Sequence, residues 1–146
     1  MSCEFNQPVA RHNALRDALA DALKEVGIGC QKEVAIGGAR RPADLALPHM
    51  DRRGPLAVDI VVHHPLRASA HYGGGGDCRQ SLKQAEERKR AASEDLCHGC
   101  GWLFAPMGWH TWGGVGPYAS ALLARIENAF AGDLQGWPRR NAIAAF

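Results

Sequence analysis

The chain has 146 residues, of which 46% are hydrophobic and 22% charged, with a formal net charge of +2. That length suits one domain with a real core, and the composition excludes a disordered or fibrous chain. The five cysteines lack framework spacing, no apolar leader opens the chain and no stretch reaches membrane length; an intracellular protein with reduced thiols and no membrane partner is expected.

Residues 1–11 read as an irregular lead-in, 12–130 as a single domain and 131–146 as a C-terminal tail. A helix is expected over 12–25, where Leu15, Leu19, Leu23 and Val26 form one apolar stripe and Gly27 and Gly29 end it. Strands follow over 31–36 and 41–47, separated by Gly37-Gly38. A polar loop over 48–55 leads to the most apolar run of the chain, Leu56-Ala57-Val58-Asp59-Ile60-Val61-Val62, which reads as a buried central strand. A Gly-rich segment over 66–77 follows, then a long helix over 78–98 ended by Gly99 and Gly101. A short strand over 102–107, a Trp- and Gly-rich loop over 108–116 and a helix over 117–130 opened by Pro117 complete the domain. The order α-β-β-β-α-β-α predicts an α/β fold: a mixed sheet of four to five strands flanked by helices, with a crossover joining the third and fourth strands.

Asp59 interrupts the central strand, where loss of hydration costs a carboxylate several kcal/mol unless a partner compensates. Asp44 lies in the strand before it. Two acids on neighbouring buried strands point to a divalent metal site. Projected at helical spacing, Glu86 and Lys89 share the apolar stripe of the long helix with Leu82, Ser93 and Leu96. They either pair with each other or reach Asp44 and Asp59. His12, near the stripe of the first helix, and His63, on the face of Asp59 and Val61, are accessory candidates. Mg²⁺ or Mn²⁺ fits such a set, because these ions take oxygen ligands from one or two carboxylates and from phosphate. The chemistry would be metal-assisted hydrolysis, with Asp44 and Asp59 as metal ligands and with Lys89 and Glu86 in support.

Pro42-Ala43-Asp44 followed by Asp59-Ile60-Val61 resembles the PD-(D/E)XK nuclease superfamily, which has the restriction-endonuclease-like fold. The runs Arg11-His12-Asn13-Ala14-Leu15-Arg16-Asp17, Arg41-Pro42-Ala43-Asp44, Leu56-Ala57-Val58-Asp59, Ala85-Glu86-Glu87-Arg88-Lys89-Arg90 and Thr111-Trp112-Gly113-Gly114-Val115-Gly116-Pro117 are similar to the C-terminal endonuclease-like domain of non-LTR retrotransposon polyproteins, over roughly 11–127. The resemblance implies nicking of target DNA, a fragment of a longer polyprotein with upstream reverse-transcriptase domains as partners, and a nuclear location. Two departures stand out. Val61 occupies the position of the (D/E)XK lysine, a role that Lys89 on the following helix can take over. Ala92-Ser93 stands where the narrower group tends to carry Lys-Tyr.

The basic clusters and the Trp-rich loop offer Arg41, Arg90 and Trp112 as nucleic-acid contacts. Cys97-His98-Gly99-Cys100 has CxxC spacing but lacks a second ligand pair, which leaves a small zinc protein as a minor alternative. The nearer alternative keeps the fold and loses catalysis, leaving a nucleic-acid-binding module.

Overall fold

The structure is a computed structural model that describes residues 7–38, 43–64 and 78–133. Its elements are α1 (Gln7–Glu25), β1 (Gln31–Val34), β2 (Ala43–Leu47), β3 (Leu56–His63), α2 (Cys78–Gly99), β4 (Leu103–His110) and α3 (Pro117–Asp133). The four strands form one sheet in the order β1-β2-β3-β4. The first three are antiparallel and β3–β4 is parallel, with α2 as the connection. The expected mixed α/β architecture is therefore present, with four strands and three helices among the described residues. Among the described residues, no helix is long and apolar enough to cross a membrane.

Several boundaries differ from expectation, each for a local reason. α1 begins at Gln7, inside the expected lead-in. Pro8 explains this: in a first helical turn its missing N–H costs nothing, because that donor has no intrahelical partner. β1 stops at Val34, not at residue 36; its pairing with β2 runs through Glu33, which carries a positive φ of 55°, to Val34↔Ala43 among the described residues. Ile36 then turns inward against Ala57 and Cys97. β4 continues to His110, because its pairing with β3 runs unbroken from Leu56↔Leu103 to His63↔His110. α3 extends through Asp133 into the expected tail. The expected start of β2 at Arg41 and the Gly73–Gly76 run lie outside the described residues.

Strand alternation divides the core into two layers. Leu56, Val58 and Ile60 of β3 join Leu45, Leu47 and Met107 beneath Leu19, Ala20 and Leu23 of α1 and Ala119, Leu122 and Ile126 of α3. The intervening Ala57 faces the opposite way, toward Cys97 of α2. Asp59 shares that second face.

One buried carboxylate fixes α2 against the sheet. Glu86 is 0% exposed. Its Oε1 accepts from Gly108 N at 2.8 Å and Ala119 N at 2.9 Å, and its Oε2 accepts from Tyr118 N at 3.0 Å. The amides at the start of a helix lack intrahelical partners and carry partial positive charge, so a carboxylate is stabilised there. A single side chain of α2 thereby joins β4 and α3. Gly108 is needed for the approach: a Cβ there would lie 2.8 Å from Glu86 Cγ. Glu86→Ala strands these buried donors and opens a cavity. Chemical denaturation should show a loss of about 3 kcal/mol or more; a loss below about 1 kcal/mol contradicts the anchoring role.

Candidate metal and catalytic site

The antiparallel register pairs Leu45 with Val58, Ala46 with Ala57 and Leu47 with Leu56. Continued by one residue, it sets Asp44 directly across from Asp59, with both side chains on one face of the sheet. The two side chains are only 15% and 17% exposed. Asp44 Oδ2 accepts from Ile60 N at 2.6 Å, taking a strand amide where the ladder would continue. Asp44 Oδ1 lies 2.9 Å from His12 Nε2 of α1. A carboxylate only accepts, so Nε2 carries the proton in that bond. On the other side, Lys89 Nζ of α2 reaches Asp59 Oδ1 at 3.1 Å and Oδ2 at 3.0 Å. Four elements thus meet at one acid pair. The cleft above it, of about 360 Å³, is lined by His12, Asp44, Asp59, Lys89, Ser93 and Phe104 among others.

Electrostatics singles out Asp59. Its carboxyl is pushed up from the ordinary 3.8 to about 6, mainly by burial and then by the neighbouring Asp44, with Lys89 pulling the other way. Even with the ammonium in contact, the acid pair lacks positive charge. A divalent cation between the two carboxylates would supply it, so the residues present fit one. Among the described residues, no group of three or more His, Cys, Asp or Glu side chains is placed to hold a metal ion. Two carboxylates are still the number that Mg²⁺ commonly takes from protein, its remaining positions going to water and phosphate.

The sequence candidates separate as follows. Asp44, Asp59, Lys89 and His12 come together. Val61 is half-buried in β3 opposite Gly108, and the ammonium on Asp59 comes from Lys89 of α2. Glu86 does not join them: both of its oxygens are spent on the backbone of β4 and α3, so it neither ligates beside Asp44 nor clamps Lys89. The stripe is buried at Leu82 and Glu86, while Leu96 at its far end is 43% exposed; a helical projection gives the face but not the partner. His63 ends β3, four residues past Asp59, which is about 13 Å along a strand. Its ring faces His110 instead.

Arg90 is exposed, with Nε 2.7 Å from Glu94 and Nη1 3.2 Å from the Tyr118 hydroxyl. It lines a second, larger groove of about 880 Å³ along β4, with Arg52, Arg53 and Arg125. Asp51 in that groove is held by Arg125 at 2.5 and 2.9 Å. Its acids are paired with arginines, whereas Asp44 and Asp59 line the smaller cleft. Trp112 is 69% exposed and meets His64 edge-on. Arg41 lies outside the described residues. Cys97 is buried, its thiol pushed up by that burial, while Cys100 is exposed and packs against Gly37. The role of Glu86 left one trace in the sequence. α3 opens with Gly116-Pro117, which offers no capping side chain, so its cap must come from elsewhere.

The chain matches no protein-family model, no curated protein and no solved structure.

The raised Asp59 pKa has a signed consequence. The folded chain binds this proton more tightly than the unfolded chain. The stabilisation is therefore full below pH 4 and is lost as pH rises through about 6. Asp59→Asn removes the buried charge. In metal-free buffer at pH 7 the variant should be more stable than wild type, by an amount on the order of 2–3 kcal/mol. The gain should vanish near pH 4 in paired thermal or urea melts; a gain that does not vary with pH contradicts it.

Proposed function

We propose that this chain is a Mg²⁺- or Mn²⁺-dependent DNA endonuclease domain with a restriction-endonuclease-like core. The observation that carries this reading is the acid pair: Asp44 opposite Asp59, half-buried, short of positive charge, with Lys89 on Asp59. Asp44 and Asp59 would hold the metal. When bound, the metal would lower the pKa of a water and neutralise charge on the scissile phosphate.

The chain's own residues do the rest. The Nε2–H of His12 and the Ile60 amide hold Asp44 in one orientation. Lys89 presents an ammonium at the mouth of the acid pair, where it can donate to the attacking water or to a phosphate oxygen. It takes the part that Val61 cannot. The arginines of the larger groove, Arg90 among them, with Arg41 and the exposed Trp112, would contact the DNA backbone and bases. Target nicking in a retroelement-like setting, upstream reverse-transcriptase domains as partners and a nuclear location belong to the same proposal.

One observation favours a catalytically impaired binding module instead: Lys89 covers both oxygens of Asp59. Nicking of supercoiled plasmid separates the two. The endonuclease reading expects cleavage with Mg²⁺ or Mn²⁺ and none with EDTA. Asp44→Asn and Asp59→Asn should each lower the rate by roughly 100-fold or more, and Lys89→Met by roughly 100- to 1000-fold. Salt-sensitive DNA binding with no metal-dependent cleavage would replace it with the binding module.

A further inference from the structure

The C-terminal ends of β3 and β4 hold a cluster that the acid site does not use. Their parallel register sets His63 beside His110, and Thr111 N donates to His63 O at 3.1 Å. The two imidazole centroids are 5.8 Å apart, with 58° between the ring planes. His110 is 9% exposed, and its backbone N donates to Gly114 O at 2.7 Å. A Cβ at Gly114 would lie 3.0 Å from His110 Cδ2, so a glycine there lets the turn pass close to the ring.

The tautomer of His110 follows from its partner. Its Nε2 lies 2.8 Å from the Cys78 carbonyl, which can only accept. Nε2 therefore carries the proton, and in the neutral ring Nδ1 is a bare lone pair. That Nδ1 is buried and has no hydrogen-bond partner among the described residues; the same is true of His63 Nε2 and Thr111 Oγ1. Burying a polar atom without a partner is unfavourable, because its hydration is lost and not replaced. Three at one strand end, two of them on facing imidazoles, mark a place built for something the described residues do not provide. Burial, with His110, Arg88 and His64 nearby, lowers the His63 pKa and keeps the ring neutral, the state that ligates metal.

We infer that His63 and His110 form a second metal site, selective for a zinc-class transition ion and separate from the acid pair. Imidazole nitrogen suits Zn²⁺, Co²⁺ and Ni²⁺, whereas Mg²⁺ takes oxygen. Two imidazoles sharing a metal at about 2.0–2.1 Å per nitrogen have centroids about 5 Å apart, so the rings need to close by less than about 1 Å. A backbone carbonyl on the far nitrogen, as Cys78 supplies to His110, is the usual outer partner of a ligating histidine. Two protein nitrogens leave the other coordination positions open to water or to an anionic oxygen.

Titration of zinc chloride into the whole chain tests this, followed by nitrogen-15 NMR of the imidazoles. Zinc should shift the His110 Nδ1 and His63 Nε2 resonances together, saturating at one ion for the pair. His63→Gln and His110→Gln should each weaken that binding by at least about tenfold, while Asp59→Asn leaves it unchanged. The wild-type spectrum decides the matter even where a variant folds poorly. Resonances that stay in place as zinc is added overturn the site, as does zinc binding of wild-type strength in either glutamine variant.

Discussion

The buried Glu86 carboxylate sets the rotation of α2, and the candidate site depends on that rotation. A charge at 0% exposure persists only where hydrogen bonds replace its hydration. Here the donors are amides of Gly108, Tyr118 and Ala119, drawn from β4 and from the first turn of α3. Lys89 follows one turn later on the same helix. With Glu86 pinned toward β4, the Lys89 stem is directed at β3 and its ammonium lands on Asp59. Glu86 and Lys89 are neighbours on the helix surface, yet they serve different partners. The first secures packing and the second carries charge into the cleft.

The acid pair itself works against the fold. β2 and β3 bring Asp44 and Asp59 face to face in a place largely closed to water, and one ammonium and one imidazole do not fully compensate them. The raised Asp59 pKa records that deficit. Residues kept at a cost to stability are characteristic of functional sites, where the same environment that penalises the apo protein strengthens attraction for a ligand. The sheet tolerates the pair because the opposite face is packed with Leu45, Leu47, Val58 and Ile60 beneath two helices.

The parts of this arrangement that were legible in the sequence have a common character. Asp59 stands out because a carboxylate in a β-branched apolar run is a local contradiction. Lys89 is visible because helical spacing places it on the apolar stripe. Mixed topology follows from two short connections and one long one. Other features depend on contacts distant in the chain. The partners of Glu86 lie on two other elements, and no local pattern names them. The reach of β4 to His110 is set by its pairing with β3, while Pro106 and Gly108 inside it look locally like strand breakers. The early start of α1 was signalled by Pro8, but the apolar periodicity begins only further along the chain. His110 escaped notice because a histidine in a Trp- and Gly-rich stretch shows no periodicity until the strand is known.

The central claim is that Asp44 and Asp59 share one divalent cation. Substoichiometric Mn²⁺ tests it most directly, through paramagnetic broadening of backbone amide resonances. Broadening should centre on Asp44, Asp59 and Ile60 and disappear in Asp59→Asn. An absence of broadening at these residues, or equal broadening in the variant, would contradict the claim.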